Sequence, residues 1–136
     1  MMDRETILDV VDQAYAARQR GDKEALRDLF APNAVFRIVG QSHLMGGLDV
    51  GPADALTAVE ALVDLFQFHR MERVQVVVDD PIVMIHWAVE TSSGGGPRVE
   101  TELCDIWTLD ENDKVTSIVE FGDTALISHM LAARPA

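Results

Sequence analysis

Residues 99–121 read VETELCDIWTLDENDKVTSIVEF, and the fold turns on how they are read. Two runs rich in β-branched residues, Val99 to Leu109 and Val115 to Phe121, flank the turn-forming separator Asp-Glu-Asn-Asp. This pattern predicts an antiparallel hairpin. Along its first strand one face carries Val99, Thr101, Leu103, Asp105, Trp107 and Leu109, and the other Glu100, Glu102, Cys104, Ile106 and Thr108. A lone acid therefore interrupts an apolar face. Burying an unpaired carboxylate is costly, so Asp105 must be neutral, hydrogen-bonded or turned toward a wet cavity. It is either a site residue or a structural aspartate bonded to backbone or to a tyrosine.

Upstream, Arg73 to Val78 and Ile82 to Thr91 are runs of the same kind joined by Asp-Asp-Pro, and Ser-Ser-Gly-Gly-Gly-Pro leads on to Val99. Four strands with short turns predict an antiparallel meander. The first half of the chain has a helical period instead. Ile7, Val11, Ala14 and Tyr15 recur at that spacing between Thr6 and Arg20, and Gly21 supplies the stop expected at a helix C-terminus. Asp22 caps a short second helix through Phe30, with Ala25, Leu26 and Leu29 on its apolar side, before Pro32 forbids continuation. Ala34 to Val39 reads as a first strand, and the glycine-rich QSHLMGGLDVG at 41–51 as a loop. Pro52 suits the first turn of a third helix whose stripe of Leu56, Val59, Leu62, Val63 and Phe66 ends near Phe68. Helices first and strands afterwards predict one α+β domain over residues 1–136, its helices packed on one face of the sheet.

The chain has 11 Lys and Arg against 23 Asp and Glu, a formal net charge of −12. A surface of that sign repels a phosphate backbone and an anionic bilayer, which argues against nucleic-acid and membrane partners. The opening MMDRETILDVVDQ mixes charge into its apolar residues and no later stretch reaches a spanning length, so the expected location is the cytoplasm. Cys104 is the single cysteine and has no partner for an intrachain disulfide, in keeping with a reducing compartment.

The order helix, helix, strand, helix and then four strands, with GDKEALRDLFAPNAVFRIVG at 21–40 and CDIWTLDENDKVTSIVEFGDTA at 104–125, resembles the nuclear transport factor 2 superfamily. The segment AVFRIVGQSHLMGGLDVGPADAL at 34–56 is similar to its SnoaL-like branch. The resemblance implies a cone-shaped, cystatin-like roll in which a strongly curved, mostly antiparallel sheet wraps a small pocket. It also implies a homodimer paired through the outer sheet face, where Ile82, Met84, Ala88, Cys104 and Ile106 lie. The superfamily includes steroid isomerases, polyketide cyclases, epoxide hydrolases, dehydratases and noncatalytic binding domains, so the fold leaves the reaction open. Against the ketosteroid isomerases, the aspartic acid that serves the oxyanion falls on Asp105, but the first-helix tyrosine falls on Ala14 and the general base near Ile38. Isomerisation by that route is not expected. Against the limonene epoxide hydrolases, the last-strand carboxylate corresponds to Glu120, with no strand arginine beside Asp105.

Closing the hairpin at its separator sets Asp105 opposite Ile118 and makes Glu120 a diagonal neighbour about 7–8 Å away. A single bulge would turn Glu120 outward instead. The same alternation predicts a pocket lined by Phe36, Ile38, Trp87, Val89, Leu103, Trp107 and Ile118, with Tyr15 and Phe66 added from helices. His43, His69, His86 and His129 have no spacing that gathers metal ligands, and no metal is expected. His86 would face Cys104 across the strands, on the side away from Asp105. Apolar walls with one or two acids suit a mostly apolar small molecule, polyketide- or steroid-like, and cofactor-independent acid/base chemistry of isomerase, cyclase or hydrolase type. Asp105 would be the proton donor or acceptor and Glu120 its partner. The rival reading is a noncatalytic ligand-binding or dimerisation domain in which Asp105 is a satisfied core residue.

Overall fold

Aspartates open each of the helices in the computed structural model, which describes residues 3–45, 48–49 and 51–133. Helix α1, Arg4–Arg20, begins where the Asp3 carboxylate accepts the Thr6 N–H at 2.8 Å. Asp22 does the same for α2, Lys23–Arg27, Asp54 for α3, Ala55–Leu65, and Asp123 for α4, Thr124–Ala132. A short polar side chain here satisfies an N–H that has no partner inside the helix. Helix α1 stops at Gly21, whose φ of 72° lies in the left-handed region and whose N–H reaches back to the Ala17 and Arg18 carbonyls.

The strands are β1, Phe30–Ile38, β2, Ala53–Asp54, β3, Gln67–Asp79, β4, Ile82–Ser92, β5, Val99–Leu109, and β6, Val115–Phe121. They form one curved, open, mixed sheet in the order β2-β1-β6-β5-β4-β3. The meander from β3 to β6 is antiparallel as expected, whereas β1 joins β6 in parallel, aligning Ile38 with Glu120. The inward face of β4 supplies Val83, Ile85 and Val89, all fully buried, against Ile7 and Val11 of α1. Among the described residues no helix is long and apolar enough to cross a membrane.

Several boundaries differ from expectation for identifiable reasons. Phe30 belongs to β1 and not to the second helix, because its backbone already aligns with Val115. Pro52 precedes the α3 cap by two residues, since Ala53 and Asp54 pair with β1 first. Helix α3 ends at Leu65, and β3 starts at Gln67, six residues before the expected Arg73, carried by polar residues whose alternation is weak in sequence. A 3-10 turn, Ser42–Leu44, interrupts the expected loop, whose positions 46, 47 and 50 lie outside the described residues. Helix α4 was not expected at all, although Asp123 followed by Thr-Ala-Leu-Ile is a legible start signal.

A Cβ built on Gly21 would meet only Val63 Cγ1 at 3.6 Å, an ordinary contact, so substitution there is a test of backbone strain alone. Gly21→Ala is expected to cost about 1–2 kcal/mol, read as a lower urea midpoint at unchanged slope.

Candidate functional site

A cavity of about 100 Å³ opens between α1, α3, α4 and the concave face of the sheet. Its wall is almost wholly apolar, which makes its few polar groups conspicuous. Asp105, on the inward face of β5, is 3% exposed. The Tyr15 hydroxyl on α1 donates to Asp105 Oδ2 and itself accepts from Trp107 Nε1 at 3.0 Å. Asp105 Oδ1 has no hydrogen-bond partner among the described residues. The ring of Tyr15 packs between two indoles, 4.3 Å from Trp87 and 5.4 Å from Trp107 by centroid, so its hydroxyl is held in one place.

Glu120 stands directly opposite Asp105, closer than the diagonal expected, and Ile118 pairs instead with Trp107. Two one-residue shifts make the difference: the turn pairs Leu109 with Val115 where the expected register pairs it with Lys114, and β6 then carries a bulge. Leu109 aligns with Val115 but Thr108 with Ser117, so Thr116 is an extra residue on β6. Its hydroxyl donates to the Thr108 carbonyl at 3.1 Å, satisfying a backbone group at the irregularity. The insertion advances β6 by one position and leaves Glu120 in the cavity wall, where a bulge was expected to turn it outward. Burial raises the pKa of Asp105 well above the ordinary carboxylate value, and the negative charge of Glu120 raises it further, against the lowering effect of the Tyr15 hydrogen bond. Burial also raises Glu120, opposed by the adjacent Asp105 carboxyl and by the charge of Arg18. Two facing carboxyls in an apolar wall disfavour double ionisation. The same environment pushes the Tyr15 phenol up, through burial first and the Asp105 charge second.

Arg18 was missed in the sequence. It follows Val11 and Ala14 at helical spacing and so extends the inward stripe of α1, a signal available only once an arginine is allowed on an apolar face. Its Nη2 donates to the Leu62 and Phe66 carbonyls at 3.0 and 2.9 Å, and its guanidinium carbon lies 4.2 Å from the centroid of the Phe68 ring. Burial lowers its pKa to about 10, and the charges of Glu120 and Asp105 oppose that shift.

Of the other residues expected in the wall, Tyr15, Phe36, Ile38, Phe66, Leu103, Trp107 and Ile118 line the cavity. Trp87 and Val89 do not: both are buried on the same sheet face, and the Tyr15 ring of α1 packs against Trp87 at a tilt of 43°. Helix α4 adds Leu126, Ile127 and Met130, which no sequence reading placed there. His86 does align with Cys104, yet its Nε2 pairs with Glu102 Oε1 at 2.7 Å on the outer face. Burial and the neighbouring Asp105 raise the Cys104 thiol, the opposite of an activated nucleophile.

The family model for the SnoaL-like domain matches residues 11–118, and the chain belongs to that family. No curated protein matches it in sequence. Among solved structures it is similar to an NTF2-like protein from Burkholderia pseudomallei K96243, at TM-score 0.77 and 14% identity over 97% of this chain and 100% of that one. It is similar also to an LEH-like epoxide hydrolase of M. tuberculosis, at TM-score 0.70 and 14% identity over 95% and 94% of the two chains. A third similar structure is SalBIII, an epoxide hydrolase/cyclase-like enzyme of pyran ring formation in the polyether salinomycin, at TM-score 0.70 and 21% identity over 90% and 95%. At these identities the likeness shows the fold alone.

The raised pKa of Asp105 has a stability consequence with a definite sign. The folded state keeps a proton that the unfolded chain releases near pH 4, so this group lowers stability as pH rises above that value. Asp105→Asn keeps an acceptor for Tyr15 and removes the penalty. In thermal melts across pH 4 to 8 the variant should equal or exceed the wild type at pH 7–8 and lose its relative advantage toward pH 4. A variant that melts lower throughout would contradict the site geometry.

Proposed function

We propose that this SnoaL-like protein is a cofactor-independent acid/base enzyme, of isomerase, cyclase or hydrolase type, acting on a mostly apolar polyketide- or steroid-like molecule held in the cavity. One observation carries the reading: a buried carboxyl whose Oδ2 is held by Tyr15 and whose Oδ1 is unpartnered, facing a second carboxyl in an apolar wall. Held at one oxygen, Asp105 keeps the other for a proton. As the neutral acid it would give that proton to a substrate oxygen, and the Glu120 carboxylate would take one from substrate carbon or from a water. The pair returns to its starting state once one proton passes between them. The names of the similar structures, hydrolase and cyclase among them, agree with such chemistry but do not choose the reaction.

A noncatalytic ligand-binding or dimerisation domain is the second reading, favoured by the Trp107–Tyr15–Asp105 hydrogen bonds, which would also serve to tie α1 to the sheet. A turnover screen of apolar epoxides and polyketide-like enones separates the two. For the enzyme, Asp105→Asn and Glu120→Gln should each lower kcat by about 100-fold or more while ligand affinity changes little. A β,γ-unsaturated ketosteroid should not turn over, because Ala14 and Ile38 can neither donate to an oxyanion nor carry a proton. Ligand binding without turnover of any substrate would favour the second reading.

The protein is also proposed to pair as a homodimer through its outer sheet face. There Val77, Met84, Ile106 and Val119 form one row across four strands, and Val77 and Met84 are 54% and 42% exposed, unusual for a strand face left to solvent. Sedimentation at micromolar concentration should report a dimer, and Met84→Asp should yield monomer. Monomeric wild type under those conditions would refute the pairing.

A further inference from the structure

Among the described residues of the cavity wall, Arg18 is the sole basic side chain. Its guanidinium has five N–H donors, and the carbonyls of Leu62 and Phe66 engage Nη2 alone. None of the ion pairs among the described residues includes Arg18. The Nε and Nη1 donors therefore have no acceptor among the described residues within hydrogen-bond geometry, while the Phe68 ring and two helix-end carbonyls hold the group in place. A half-buried cation outside any ion pair keeps donors available to an anion that enters the cavity. With its pKa near 10 the guanidinium stays charged at neutral pH, and among the described residues no carboxylate of the wall lies within ion-pair distance of it.

We infer that Arg18 is the anion-binding residue of the cavity, and that the molecule it takes is an apolar acid whose ionised oxygen, carboxylate or enolate, accepts from the free guanidinium donors while its apolar body lies along Phe68, Leu62 and Leu103. This rests on the cavity being a ligand site, as proposed above, and adds the class of ligand. Nη2 belongs to both bidentate edges of the guanidinium and is engaged by the protein, so a single charged oxygen accepting from one free nitrogen is the group that fits best. Asp105 and Glu120 then meet the ligand elsewhere along its length. In this arrangement the cation sets affinity and orientation, and the carboxyl pair does the proton chemistry.

Matched pairs of ring-sized probes test this by calorimetry at pH 7.5: 2-naphthoate against neutral 2-naphthamide for a carboxylate, and 2-hydroxy-1,4-naphthoquinone against its methyl ether for an enolate. The wild type should bind at least one acid about tenfold or more tighter than its neutral partner, and whichever pair shows the larger ratio identifies the anionic group. Asp105→Asn should keep that preference. Arg18→Met should reduce it to about twofold or less with the neutral probe still bound, and Arg18→Lys, which retains the charge should the methionine variant fold poorly, should keep part of it. Equal binding of acid and neutral probes by the wild type would overturn the role of Arg18 and leave the cavity reading standing. Binding of neither would bring down both.

Discussion

The Tyr15 hydroxyl bonded to Asp105 is the contact on which the interior is organised. It joins the middle of α1 to the middle of β5, across the layer boundary where helices meet sheet. A carboxyl 3% exposed in an apolar wall would be unfavourable in any arrangement that left both oxygens bare. Tyr15 satisfies one of them, Trp107 in turn satisfies Tyr15, and the indoles of Trp87 and Trp107 fix the phenol by contact. The aromatic cluster is thus both the core beneath α1 and the scaffold that holds the Asp105 carboxyl in the cavity wall. Packing and polar positioning are the same interaction here, which explains why Trp87 belongs to the core rather than the wall.

From that anchor the remaining polar groups take their places through backbone geometry. The extra residue Thr116 moves β6 along by one, so that Glu120 lies across from Asp105, and the parallel pairing with β1 sets Ile38 beside Glu120 from the other side. Arg18 enters one turn after Tyr15 on the same face of α1 and is fastened to the C-terminal end of α3. Helix α1 delivers Tyr15 and Arg18, and the β5–β6 hairpin Asp105 and Glu120, to a space bounded by Phe66, Phe68, Leu103 and α4. In that low-dielectric setting charges interact strongly over several ångströms, and burial holds each group away from its ordinary ionisation.

Members of a family built on such a roll can differ in chemistry while sharing almost everything else, because the curved sheet supplies a wall and a handful of positions decide what faces inward. The similar structures cover this chain nearly end to end at 14–21% identity, which shows a shared backbone. In this protein those positions carry a tyrosine-held acid, an opposing glutamate and a carbonyl-held arginine.

Much of the fold was legible in the residues because it depends on local pattern. The period of two from Val99 to Leu109 and the turn chemistry of Asp-Glu-Asn-Asp defined β5 and β6 to the residue, and the stripe of Ile7, Val11, Ala14 and Tyr15 defined α1 within two residues of its start. Asp105 stood out because an acid on an apolar face is a conflict visible without any structure. What sequence could not supply was anything set by distance along the chain. The bulge at Thr116 costs nothing in local propensity, since threonine suits a strand either way, yet it decides which residue Asp105 faces. Arg18 reads as an ordinary charged helix residue until α3 and β3 fold over it, and α4 reads as a tail until it closes the cavity. Alternation along a strand is a property of neighbours in sequence; register, burial and the meeting of Tyr15, Asp105, Glu120 and Arg18 are properties of segments as much as 105 positions apart, and only the packed chain brings those together.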